Sequence, residues 1–252
     1  MANKKKGEKQ ARQRKPLIMV FGEDDNDTCT VRSLIMAIWD GAHDKASTPQ
    51  QGSKGKSVLP TGAKKIFPRP DIRTFRSPLV LIRGRELAQQ RKNAAAIKSV
   101  VAAQAVVNDV KAVIAHEDCD DLEPAHDTAA IQIETRLRDE GAPNPCAVTP
   151  AWEMEAWWYL WPDAVAAVHP GWRKLARHGQ EVGRIRDAKE QLRRDLRPVN
   201  VKPGRGRDYV ESDSRAIAEN VRTSGCIFSP TANSASFSRF RDQVLKLATT
   251  EL

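Results

Sequence analysis

Short apolar runs alternate along the chain with longer stretches in which apolar residues recur every three or four positions. Leu17 to Phe21 is an unbroken apolar run of strand length. From Thr28 to Trp39, apolar residues at Val31, Leu34, Ile35 and Ile38 follow the period of a helix packed along one side, with Asp27 or Thr28 as its cap. "PLVLIRG" (78–84) predicts a second buried strand, and "KAVIAHEDCDD" (111–121) a third that ends in acids. "PCAVTP" (145–150) predicts a fourth. Between them, the alanine-rich segment from Glu86 to about Val107 and the segment 126–141 read as helices, the latter stopped by Gly141.

Strands alternating with helices predict an α/β fold: an open, mainly parallel sheet with helices on both faces. Beyond Pro150 the pattern turns mostly helical, with segments at 151–168, 179–196, 214–223 and 235–249 and a loop around "KPGRGRDYV". The expected organisation is a basic disordered tail at 1–15, an α/β core at 16–150, and a helical C-terminal extension at 151–252 packed on that core. Residues 41–76, with Pro49, Pro60, Pro68 and Pro70 among glycines, serines and lysines, read as one long loop, a length that often carries function.

The net charge of +9 is unevenly spread. Residues 1–15 hold seven Lys/Arg against one acid, residues 41–76 eight against two, and residues 173–207 twelve against four. Basic arms therefore surround a core that is net negative. Such arms suit a polyphosphate partner, and DNA or RNA is expected, although each arm alone also reads as solvated surface. No apolar run approaches the roughly 18 residues of a membrane span, so no membrane association is expected. The basic start lacks a following apolar stretch, and Cys29, Cys119, Cys146 and Cys226 are widely spaced, which together predict a reduced, cytoplasmic setting.

The acids supply the candidate chemistry. Ligand sites in open α/β sheets lie beyond the carboxyl ends of the strands. The first strand delivers Glu23 there, and the third delivers Asp118 and Asp120, which face one way if the segment stays extended. Oxygen donors without a histidine or cysteine cluster suit Mg²⁺, or Mn²⁺ in its place, and either ion activates water and polarises a phosphodiester. Asp24, Asp25, Asp121 and Glu123 read as turn or cap residues.

The order apolar strand, Glu23, three residues, Asp27, helix, and much later apolar strand, Asp118-x-Asp120, resembles the Toprim domain of topoisomerases, bacterial primases and related nucleases. The resemblance covers roughly residues 16–150. It implies a Toprim-like fold, a Mg²⁺-dependent nuclease activity, and Glu23, Asp118 and Asp120 as catalytic and metal-binding acids, with Asp27 as the acid opening the following helix. Where the family reads E-G-x-x-D, this chain has Asp24 in the glycine position and Gly22 ahead of the glutamate. "TPAWEMEAWWYLWPDAV", "RDYVESDS" and "GCIF" with "FSRF" look similar to a small Toprim-like branch found among bacterial anti-phage genes. That likeness implies an antiviral defence role beside an ATPase or sensor partner, and points to Glu155 as a further metal ligand. An alternative is a non-catalytic, nucleic-acid-binding or regulatory subunit of the same fold.

A helix through 151–168 would set Glu153 and Glu155 about 200° apart, so that one of them faces the site. Glu155 also reads as a helix N-terminal acid or a partner for a buried arginine. The four tryptophans between 152 and 161 read as core. His116 is either a packed strand-end histidine or a donor to a carboxylate or phosphate. Arg83 and Arg85, ending the second strand, and Lys202, Arg205 and Arg207 in the glycine-spaced loop are the expected phosphate contacts.

Overall fold

A computed structural model describes residues 14–47, 65–76, 81–82, 86–199 and 207–250. The basic tail, apart from Arg14 and Lys15, lies outside them. Four parallel strands form one sheet in the order β2-β1-β3-β4: β1 Lys15–Gly22, β2 Asp71–Arg76, β3 Asn108–His116 and β4 Pro145–Val148. Helices flank it: α1 Asp25–Ser47, α2 Leu87–Ala105 and α3 Ala125–Asp139. The extension adds two short helices, α4 Glu155–Trp158 and α5 Pro162–Ala166, then α6 Ala188–Leu196, α7 Asp213–Thr223 and α8 Ala235–Thr249.

β1 is buried on both faces from Leu17 to Gly22, and its alternating side chains feed two cores. Leu17, Met19 and Phe21 pack with Ala94 and Ile97 of α2 and Ala130, Ile133 and Leu137 of α3. Ile18 and Val20 face Val31, Leu34, Ile35, Ile38 and Trp39 of α1, and that core runs on into Trp157, Trp158, Tyr209, Phe237 and Phe240 of the extension. The extension therefore completes the hydrophobic layer over α1.

Three expectations need correction. The second strand in chain order is Asp71–Arg76, inside the stretch read as a loop, and of the strand expected at 78–84 only Leu81 and Ile82 lie among the described residues. It is an edge strand with only Ile72 and Phe75 to bury, so its apolar signal is weak. Leu81 and Ile82 instead form a bend whose amides both donate to the Glu117 carboxylate, at 2.8 and 3.2 Å. The helix over 151–168 is broken into α4 and α5, because Trp152 takes a left-handed φ of 59° and Pro162 starts a new helix. The helix expected at 179–196 reduces to a 3₁₀ turn at Val182–Arg184 and α6. Trp157 stacks on Phe240 with centroids 5.5 Å apart, and Trp161 meets Phe237 edge-on at 4.8 Å, so these tryptophans are core.

Candidate active site

β1 and β3 are adjacent, and Phe21 pairs with Ala115, so the chain leaves both strands at one edge of the sheet. Glu23 follows β1 directly, and Asp24 then caps α1, its Oδ1 accepting from the Asp27 amide at 2.9 Å. The cap is thus Asp24, not Asp27 or Thr28, and a carboxylate at a helix N-terminus is favoured by the exposed amides and the dipole. This gives the residue in the motif's glycine position a local task. Gly22 meets the steric demand instead: a Cβ there would lie 2.9 Å from Thr28 Cγ2 and 3.5 Å from His116 Cβ. Without that side chain, the first turn of α1 and the end of β3 close on each other.

His116, the last residue of β3, is buried between two acids. Its Nε2 lies 3.3 Å from Asp118 Oδ1 and its Nδ1 lies 3.8 Å from Asp27 Oδ2. These are charge contacts without aligned hydrogen bonds, and Asp118 Oδ1 is a buried oxygen with no hydrogen-bond partner. Burial alone would lower the His116 pKa, but contact with Asp118 and the charges of Asp27 and Glu23 push it up to about 9. An imidazolium is therefore the positive group set among the acids.

Asp27 and Asp118, but not His116 itself, line a cavity of about 150 Å³. Glu23, Asp24, Asn26 and Asp27 line it from the end of β1 and the start of α1, Asp118 from the end of β3, and Glu153, Met154 and Glu155 from the opposite wall. Lys189, Glu211 and Ser214 complete the lining. Burial raises Asp27 to about 6, His116 partly opposes this, and Asp118, Asp24 and Glu23 add to it. Burial raises Glu155 to about 7, with Asp118 adding to it. Glu153 is raised as well, by burial and then Asp118 and Asp120, against the amide of Lys189 that donates to its Oε2 at 2.9 Å.

Of the expected acids, Glu23, Asp27, Asp118 and Glu155 share this cavity, whereas Asp120 does not line it. The strand ends at His116 and Asp120 takes a left-handed φ of 51°, so the alternation that would aim both aspartates one way is lost. Both Glu153 and Glu155 reach the cavity: α4 begins only at Glu155 and Glu153 lies ahead of it, so the two are not fixed on opposite faces of one helix. Arg207 is half-exposed and ion-paired with Asp213. Arg83, Arg85, Lys202 and Arg205 lie outside the described residues. The sequence reading overlooked Glu153 as a joint lining residue, and it overlooked Lys189, whose ammonium pairs with Glu211 at the cavity. A lysine inside "RDAKEQ" carries no signal of its own. Glu117 was also missed, although a strand-end acid beside a second acid faces the opposite way and must find donors.

Among the described residues, no three Asp, Glu, His or Cys side chains converge as a ready-made metal group. The donor chemistry nevertheless fits a hard divalent cation. The lining offers carboxylate oxygens without thiols, Asp118 Oδ1 is orphaned, and Asp27 and Glu155 are raised by burial and by one another's neighbours. No helix among the described residues is long and apolar enough to cross a membrane. A scan against family models and searches of curated proteins and of solved structures find nothing that matches this chain.

Proposed function

We propose that the chain is a Toprim-like, metal-dependent phosphodiesterase acting on DNA or RNA, with its reaction centre in the acidic cavity. The observation that carries this reading is the convergence of Glu23, Asp27, Asp118, Glu153 and Glu155 on one small cavity at the carboxyl ends of two central parallel strands. Glu23, Asp118 and Glu155 would hold Mg²⁺ or Mn²⁺. Such an ion supplies Lewis acidity toward a phosphate oxygen and lowers the pKa of a water it carries.

The chain's own groups do the rest. Burial and the charge of Asp118 raise Glu155 to about 7 in the metal-free site, the strain expected of a carboxylate whose charge a cation would offset. His116 holds Asp27 and Asp118 on either side of its ring, so neither swings out of the cavity. Lys189 Nζ, at the lining with Glu211, is the cation placed to meet an entering phosphate. The basic lobe contributes less than its composition suggests, since Arg177, Arg193 and Arg197 are engaged by Asp195, Glu190 and Asp208. A cytoplasmic role in antiviral defence, with an ATPase or sensor partner, rests on the sequence resemblance.

The test is incubation of the full chain with single- and double-stranded DNA, tRNA and ribosomal RNA, with and without Mg²⁺. Metal-dependent cleavage that falls by about 10³-fold or more in Asp118→Ala and Glu23→Ala is expected. Cleavage that survives both substitutions would sink the reading. The outward placement of Asp120 favours one alternative, a non-catalytic subunit of this fold that binds nucleic acid. It is supported if the chain retains nucleic acid but cuts none of these substrates.

A further inference from the structure

A buried polar chain runs back from Glu155 through Tyr209 and Ser214 to Trp158, three residues to which the proposed reaction gives no role. Trp158 Nε1 donates to Ser214 Oγ at 3.0 Å, Ser214 Oγ lies 2.6 Å from the Tyr209 hydroxyl, and that hydroxyl donates to Glu155 Oε1 at 2.9 Å. Its direction is fixed at one end. An ionised carboxylate only accepts, so the phenol hydrogen goes to Glu155 and the Ser214 hydrogen is left to go to Tyr209. Ser214 Oγ also accepts from the Trp158 indole, which can only donate. All four residues are buried, and a buried polar group without a partner is costly, so the chain has one satisfied arrangement.

We propose that Tyr209, backed by Ser214 and Trp158, is a positioning residue for Glu155: it pins one carboxylate oxygen so that the other is presented to the cavity for a divalent cation. This rests on the metal-dependent reading above. The supports converge on the wall itself. Glu155 and Trp158 sit three residues apart on α4, hence on one side of it, and Ser214 lies in the first turn of α7. Asn26, beside Asp27 in α1, donates from Nδ2 to the Glu211 carbonyl at 2.8 Å. The segment from Tyr209 to Ser214 therefore braces both the helix carrying Asp27 and the helix carrying Glu155. Partners of this kind, one bond behind the ligand, fix a carboxylate's orientation and set metal affinity.

The experiment is calorimetric titration of the full chain with Mn²⁺ alone, with thermal melting of each variant. Tyr209→Phe keeps the ring and removes the hydrogen bond, and is expected to weaken Mn²⁺ binding by about 10- to 100-fold. Ser214→Ala should weaken it less, because Tyr209 keeps its own donor. Glu155→Gln reports whether this carboxylate binds the ion at all, and Trp161→Phe, a core change away from the relay, reports what general loosening does. Wild-type affinity in Tyr209→Phe while Glu155→Gln is weakened overturns the proposal and leaves the metal reading intact. Equal weakening in Tyr209→Phe and Trp161→Phe also overturns it, as does no effect of Glu155→Gln. Failure of the wild-type chain to take up Mn²⁺ overturns the metal reading, and this proposal with it.

Discussion

Glu123 is partly buried and Glu155 buried, yet their surroundings drive them in opposite directions. Glu123 Oε1 accepts from the Ser234 hydroxyl and the Ser236 amide, each at 2.8 Å, at the N-terminus of α8. Burial would raise its pKa, but the amides of Ser236 and Ala235 and the hydroxyls of Ser234 and Ser236 hold it below the usual value. Glu155 accepts from the Tyr209 hydroxyl and faces Asp118 and Glu153, so burial and like charge raise it to about 7. A carboxylate surrounded by donors acts as a fastener. A carboxylate among other carboxylates costs stability and is kept where charge is needed for a ligand or a reaction.

The fastener gives the larger expected effect on folding. Glu123 ties the loop after β3 to the start of α8, and it crosses Gly183 so closely that a Cβ there would lie 2.0 Å from Glu123 Cδ. Glu123→Gln should destabilise the chain by about 1.5–3 kcal/mol, the range for hydrogen bonds to a charged group, measured by urea unfolding at pH 7. The sign with pH follows from the lowered value. Folding stabilises the ionised form, so the contribution is present above about 4.5 and is lost as pH falls through the folded value. The gap between wild type and Glu123→Gln should therefore close in acid. A gap that persists at low pH would mean that packing, not the charge, supplies the clamp.

The sequence announced these two regions unequally. The central strands, α1, α3 and the last two helices follow from the placing of apolar residues, and α2 from its alanine-rich composition. Glu23, Asp27, Asp118 and Glu155 were legible from their place after strands or from the resemblance, and the cavity gathers all four. Asp120 was misplaced because a strand's alternation was carried past the residue where the strand ends. Glu153 was set aside because a helix was assumed one turn too early. Glu123's partners come from more than a hundred residues downstream, and only tertiary packing brings Lys189 to the cavity and Tyr209 to Glu155. Local pattern finds elements; it does not tell which loop will supply a donor.

The crowding at Glu155 has an identified source, which makes it separable from burial. Asp118 is the largest charge acting on Glu155, after the effect of burial itself. Asp118→Asn removes that charge at nearly constant volume, so Glu155 should titrate nearer the ordinary carboxylate range, followed by carbon-13 NMR of the glutamate carboxyls in chelator. The same substitution should lower Asp27, which Asp118 also raises. A Glu155 titration that stays near 7 would assign the whole shift to burial and remove the parallel with a crowded ligand site.

The smallest expected effect is also the most discriminating, because its sign is opposite to that of a lost contact. Glu155→Gln keeps an oxygen for the Tyr209 hydroxyl and removes the charge facing Asp118. The folded chain binds a proton on Glu155 more tightly than the unfolded chain does, between about 4.5 and 7. Ionised Glu155 therefore subtracts stability progressively as pH rises through that window, and the full cost stands above it. In chelator at pH 8, Glu155→Gln should be more stable than wild type by about 1 kcal/mol, within the range seen when a strained functional group is replaced. At pH 5 the wild-type carboxyl already carries its proton, and the two chains should melt alike. A divalent cation should then reverse the order at pH 8, since the wild-type site binds it more tightly than the Gln variant and binding to the folded state adds stability by mass action. If Glu155→Gln is instead the less stable chain at both pH values, the carboxylate is a fastener like Glu123, and the contrast between the two regions fails.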